Sequence, residues 1–186
     1  FVTGLGIKKR DCIYPDLAHS LAVKIRKSTL TSNQAPFVIG INPMVYKDPR
    51  IWPIKNESIY QNYIRSLSEA VFLLSKIECK IVLFSCNFSQ DRPAMEDLMD
   101  TLRKTDSNYS ERISIQPTMD VKDLMREIAS MDVVVASRLH TVLLSHVLHR
   151  PVIGLSWHAK VRVVLAEMGH SDYCLEIEQF SSEKLV

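Results

Sequence analysis

The chain has 186 residues and a mass of 21.3 kDa, with 46% apolar and 24% charged residues, the balance of an ordinary soluble globular protein rather than of a disordered or collagen-like one. Its 23 basic and 21 acidic residues leave a formal charge of +2, too little for nucleic-acid binding through bulk charge. A chain of this size should bury roughly 70% of its unfolded surface, so a single core needs neither a disulfide nor a metal.

The four cysteines, Cys12, Cys79, Cys86 and Cys174, form no CxxC pair and no zinc-finger spacing, which fits free thiols in a reducing compartment. Apolar runs such as Val133-Val134-Val135-Ala136 fall far short of the roughly 20 residues of a membrane span. The sequence opens on Phe1 rather than Met, and we expect a piece of a longer protein.

Residues 1–36 are irregular. A short strand is expected at 11–14, Pro15-Asp16 opens a short helix, and the polar stretch 28–34 reads as a linker, with a boundary near Ala35-Pro36. Residues 37–42 form an apolar strand stopped at Asn42-Pro43, followed by a proline-punctuated loop to Asn56. Ser58 and Gln61 have capping-box spacing ahead of Tyr60, Ile64, Leu67, Val71 and Leu74, one face of a helix. A strand at 80–85 follows, then a helix that Asp91 caps and whose Met95, Leu98, Met99 and Leu102 face the core. Residues 113–115 are a short strand. Asp120 caps a helix carrying Val121, Leu124, Met125, Ile128 and Met131, which runs into a strand at 132–136. Leu139, Val142, Leu143 and Val147 define the next helix, ended by Pro151, before a strand at 152–155 and a last helix stopped by Gly169. About five strands thus interleave with five helices, as in a parallel α/β sheet.

The strand at 132–136 leads directly into Ser137-Arg138-Leu139-His140 at a helix start. Free backbone N–H groups, the helix dipole and an arginine fork make such a turn an anion site; pairing of Arg138 with an acidic neighbour is the plainer alternative. Ser156-Trp157-His158-Ala159-Lys160, with Arg162 just beyond, repeats the strand-to-helix geometry. Side by side the two turns would form one basic pocket in which Lys160 and Arg162 hold a second anionic group, Trp157 forms a wall, and His140 or His158 donates a proton. A solvated basic helix start is the plainer alternative for the second turn. Asn42, at the end of its strand, joins the substrate-binding set on the functional side of such a sheet. His146 and His149 read as structural or exposed. Asp91 can orient a base or bind a hydroxyl, although an N-cap role suits it better. Gly4-Leu5-Gly6 lacks the third glycine of a dinucleotide fingerprint, which disfavours a dehydrogenase, and no P-loop, G-x-S-x-G, HExxH or DxDxDG segment occurs.

The chain resembles the polysaccharide pyruvyl transferases. The resemblance is concentrated over residues 120–175: Ser130-Met131-Asp132-Val133-Val134-Val135-Ala136-Ser137-Arg138-Leu139-His140, then Arg150-Pro151-Val152-Ile153-Gly154-Leu155, Lys160-Val161 and Met168-Gly169-His170-Ser171-Asp172-Tyr173. Tyr14-Pro15-Asp16-Leu17-Ala18 and Ile39-Gly40-Ile41-Asn42 resemble upstream family segments. The resemblance implies a Rossmann-like parallel sheet flanked by helices, similar to the C-terminal domain of a glycosyltransferase-B-like fold. Residues 1–36 would be a lead-in from a missing N-terminal domain, and 37–186 a donor-binding domain inactive on its own. It further implies transfer of pyruvate from phosphoenolpyruvate onto two sugar hydroxyls to form a cyclic ketal. Arg138 would bind the donor's phosphate or carboxylate, His140 would protonate its methylene carbon or the departing phosphate, and Lys160 would pair with the other anionic group. Neither a metal nor a redox cofactor is implied. The expected partners are phosphoenolpyruvate and a glycan or lipid-linked sugar, not nucleic acid, in the cytoplasm, with peripheral association at a membrane surface a further expectation where the acceptor is lipid-linked. The sequence departs from the family pattern at His149-Arg150, Thr141, Ser145 and Trp157-His158, the last pointing to a different acceptor. Two other readings of the architecture are a nucleotide-sugar glycosyltransferase or epimerase and a non-catalytic anion- or sugar-binding module.

Overall fold

The computed structural model describes residues 16–21, 36–105 and 112–186. The expected strand at 11–14, the linker at 28–34, Gly4, Gly6 and Cys12 lie outside the described residues. Asp16 opens a 3-10 turn at Leu17–Ser20, its carboxylate accepting the Ala18 N–H at 2.9 Å.

Six strands form one parallel sheet: β1 (Phe37–Asn42), β2 (Cys79–Leu83), β3 (Ile113–Ile115), β4 (Val133–Ala136), β5 (Val152–Ser156) and β6 (Cys174–Glu176). Their order is β3-β2-β1-β4-β5-β6, with every pair parallel. The chain thus winds one way from β1 to β3, and from β4 onward winds the other, which places the switch between β1 and β4. The expected α/β Rossmann-like fold is the one found, and β6 is a strand that the sequence did not mark, because Cys-Leu-Glu has neither the β-branched residues nor the alternation of the equally short Ile-Ser-Ile of β3.

Among the described residues six α-helices accompany the sheet: α1 (Glu57–Leu74), α2 (Phe88–Thr105), α3 (Val121–Ser130), α4 (Leu139–Val147), α5 (Ala159–Glu167) and α6 (Ser182–Leu185). Strand alternation divides the core in two. Ile39, Ile41, Ile81, Leu83, Val135 and Leu155 pack with Leu67, Val71, Met95 and Leu98 of α1 and α2. Val134, Ala136 and Val152 pack on the opposite face with Ile128, Val142 and Leu165 of α3, α4 and α5. Among the described residues no helix is long and apolar enough to cross a membrane.

Several helix ends differ from expectation. Asn56, not Ser58, caps α1: its side chain accepts the Ile59 N–H at 3.1 Å and the Ser58 hydroxyl at 2.9 Å. The helix α2 begins at Phe88, so Asp91 lies inside its first turn and is fully buried. Asp120 caps α3 as expected, accepting the Asp123 N–H at 2.8 Å. The helix α4 ends before Pro151 is reached, because His149 adopts φ 52, whereas α5 is followed by Gly169 at φ 73. Cys79, Cys86 and Cys174 are free thiols.

Candidate functional site

The carboxyl ends of β1, β2 and β4 are stitched together by Asn42, which is 1% exposed. Its backbone carbonyl accepts the Ser137 N–H at 3.1 Å and its side-chain oxygen accepts the Arg138 N–H at 3.2 Å. Its amide nitrogen donates to the carbonyls of Pro43 and Phe84, both at 3.2 Å. Ser137 is also buried, its hydroxyl 3.1 Å from that of Tyr63, which accepts the Met44 N–H at 3.2 Å. Burial pushes the Tyr63 hydroxyl up to about 12, so the phenol stays protonated and serves as a hydrogen-bonding post. Asn42 and Ser137 therefore sit beneath the surface and shape the turn that carries Arg138, rather than lining an open pocket.

Arg138 immediately precedes α4 and makes no side-chain cap, leaving the first N–H groups of that helix to other partners. Its guanidinium turns to the start of α2, where Nε donates to Asp91 Oδ2 at 2.9 Å and Nη2 to Oδ1 at 2.5 Å. Nη2 also lies 3.4 Å from Gln90 Oε1. Asp91 Oδ2 accepts in addition the Ser85 hydroxyl at 2.5 Å. Burial alone would push the Arg138 guanidinium down, but the Asp91 carboxylate outweighs it and holds the group above its ordinary value. The plainer reading of Arg138, pairing with an acid, is thus realised along one edge of the fork. Its Nη1 has no hydrogen-bond partner among the described residues.

That side chain lines a pocket of about 440 Å³ together with Cys86, Asn87, Leu139, His140, Trp157, His158, Lys160 and Val161. The two turns expected to lie side by side do so. His140 and Lys160 are exposed at the pocket. His158 precedes α5 and its Nδ1 accepts the Lys160 N–H at 3.2 Å, so in the neutral ring the hydrogen resides on Nε2. Trp157 forms an aromatic wall, its ring centroid 5.3 Å from Trp52 and 5.4 Å from His158, with Tyr46 edge-on to Trp52 at 5.4 Å. Arg162 does not line this pocket: it pairs with Glu176 at 3.0 Å on the surface. Burial pushes the Cys86 thiol up against the opposing effects of Thr141 and Arg138, which keeps it a neutral lining group.

A second cavity, about 600 Å³, opens beside the amino-terminal ends of β4 and β5, lined by Val133, His146, Arg150, Val152 and His170 among others. It holds none of the expected site residues and lies at the end of the sheet opposite the switch point, so the smaller pocket is the candidate site. Sequence reading missed the engagement of Asp91 with Arg138, because the two are 47 residues apart and no local pattern links them.

Among solved structures, the chain is similar to a mutant of the O-GlcNAc transferase of Thermobaculum terrenum, at 17% identity and a TM-score of 0.52 over 81% of this chain. It spans 27% of that protein's length, and at such identity the likeness is one of fold, here a glycosyltransferase-like α/β layer arrangement. Comparison with curated proteins finds no match. The family model for polysaccharide pyruvyl transferase matches residues 3–159. This match corrects the expected extent of the resemblance: it starts in the first residues and takes in most of the chain, rather than concentrating over 120–175, and it stops before Lys160. It includes both the strand β1 and the turn from Ser137 to His140. The chain belongs to the polysaccharide pyruvyl transferase family.

Proposed function

We propose that the pocket at the carboxyl ends of β2, β4 and β5 binds phosphoenolpyruvate, and that the protein transfers the pyruvyl group to two hydroxyls of a sugar. The observation that carries this reading is the half-engaged guanidinium of Arg138, fixed to Asp91 along one edge and without a partner at Nη1 among the described residues, in one pocket with His140, His158 and Lys160. A three-carbon donor bearing phosphate and carboxylate needs clustered cationic donors, and Arg138 with the α4 N-terminus supplies one anion seat while Lys160 supplies a second. Asn42 and Ser137 hold the turn in place, while Arg162 is paired with Glu176 outside the pocket.

The chemistry assigned to the pocket balances as follows. Protonation of the donor's methylene carbon by His140 makes a methyl group and positive charge at the neighbouring carbon, where a sugar hydroxyl adds. The bond to the phosphate oxygen breaks and a second hydroxyl adds at the same carbon, closing the ketal. The two hydroxyl protons replace the one placed on carbon and leave one on the released phosphate. The proposed setting is the cytoplasm, with a glycan or a lipid-linked sugar presented at a membrane surface as acceptor.

Calorimetry with phosphoenolpyruvate and with UDP tests the reading. We expect phosphoenolpyruvate to bind, Arg138→Ala to weaken it roughly 100-fold through loss of charge-assisted hydrogen bonds, and His140→Ala to leave affinity within about threefold. Preferential binding of UDP would replace the donor assignment with a nucleotide-sugar one.

A further inference from the structure

Asp91 is 0% exposed, and among the described residues its side-chain hydrogen bonds run to the Arg138 Nε and Nη2 and to the Ser85 hydroxyl. A buried ion pair is a weak source of stability, since desolvation of both partners offsets their attraction. What it does supply is geometry. Two parallel hydrogen bonds to one carboxylate fix the plane of the guanidinium, and the carboxylate in turn is fixed by Ser85, two residues beyond β2, and by the first turn of α2. Arg138 keeps 18% of its side chain exposed, at the pocket, while its partner is wholly enclosed.

We propose that Asp91 is the positioning residue of the donor site: it occupies the Nε edge of Arg138 so that Nη1 is presented, already oriented, to the incoming anion. This inference rests on the assignment of the pocket to phosphoenolpyruvate and names the residue that sets its affinity. The opposite effect is equally concrete: were Asp91 a mere competitor for the guanidinium, removing its charge would tighten anion binding. Preorganisation predicts weakening. Outer partners that hold a ligating side chain are worth roughly 10–100-fold in affinity at metal sites, and an effect of about tenfold is expected here.

The test uses wild-type protein and the variants Asp91→Asn, Ser85→Ala, Arg138→Lys and Arg138→Lys/Asp91→Asn, with phosphoenolpyruvate and inorganic phosphate as probes in calorimetry and thermal melting as the check on folding. Asp91→Asn should weaken phosphoenolpyruvate about tenfold. Ser85→Ala, which leaves the charges in place but frees the carboxylate, should weaken it a few-fold and serves if the first variant does not fold. A lysine at 138 cannot be held by two parallel bonds, so in that background Asp91→Asn should cost less than about twofold; this non-additivity separates positioning from a general structural role. Unchanged or tighter binding by both folded Asp91→Asn and Ser85→Ala would overturn the inference while the loss in Arg138→Ala still supported the donor site. Failure of wild-type protein to bind either probe would overturn both together.

Discussion

At the scale of single residues, the site depends on side chains whose roles differ from what their types suggest. Ser137 and Asn42 are polar residues beside the candidate pocket, yet both are spent internally: Asn42 uses both ends of its amide on three chain segments, and Ser137 faces Tyr63. His158 accepts a backbone hydrogen through Nδ1, which fixes its tautomer, whereas His140 stands exposed in the first turn of α4. A histidine is also used purely for chain geometry. His149 sits at φ 52, a left-handed conformation in which a side chain costs energy and glycine does not. His149→Gly is therefore expected to raise the unfolding free energy by about 1 kcal/mol, measured by urea denaturation, with donor affinity unchanged because the residue lies at the other end of the sheet. These assignments were only partly legible. The motif from Ser137 to His140 marked the place, but nothing in its four letters distinguishes a buried serine from one that touches ligand.

At the scale of elements, helix boundaries show where local signals compete. Ser58 and Gln61 carry a capping-box spacing, but Asn56, nearer the loop, captures both the Ile59 amide and the Ser58 hydroxyl, and the helix starts earlier. Asp91 follows the same logic with a different outcome: α2 begins three residues ahead of it, and the carboxylate turns inward to Arg138. Strand β1 illustrates how tightly an element is held. A Cβ on Gly40 would approach Met131 Cε to 2.9 Å and Phe84 Cε1 to 3.0 Å, and both neighbours are fully buried. Gly40→Ala is expected to destabilise the fold by about 1–3 kcal/mol, seen as a lower melting temperature, because the thioether of Met131 must move within a filled layer. A melting temperature equal to wild type would show that this layer has slack.

At the scale of the whole molecule, a polar network ties the long loop after β1 to both helices of one layer. Arg50 donates to Asp48 Oδ2 at 2.7 Å and to the Tyr60 hydroxyl at 3.0 Å, pairs with Asp97, and Tyr60 bonds Asp97 at 2.5 Å. Burial pushes the Asp48 carboxyl up, but the hydrogen bonds and charge of Arg50 more than reverse it, leaving Asp48 below the usual carboxylate range. A depressed folded value contributes stability that is present above the unfolded value of about 3.9 and is lost as pH falls through the folded one. Unfolding free energies measured from pH 7 to pH 3 should therefore fall at the acid end. Asp48→Asn should be less stable by about 1 kcal/mol at pH 7, a modest figure because Arg50 is half exposed, and should show a shallower acid limb.

Periodicity and punctuation by themselves determined the succession of strands and helices from β1 to α5, the parallel α/β class, and the turn from Ser137 to His140, because these are set by contacts a few residues apart, whereas β6 and α6 beyond Gly169 carry no such pattern. The motif was also enough to suggest the family. Tertiary structure alone decided the strand order, with its switch between β1 and β4, and the side-by-side placement of the turns after β4 and β5. It decided as well that Arg138 meets Asp91, that Arg162 leaves the pocket for Glu176, and that Trp157 meets Trp52 edge to face. The reason is physical. Each of these pairings joins chain segments whose separation carries no periodic signal, and a partner is chosen only when packing of the two helical layers brings the strand ends into register.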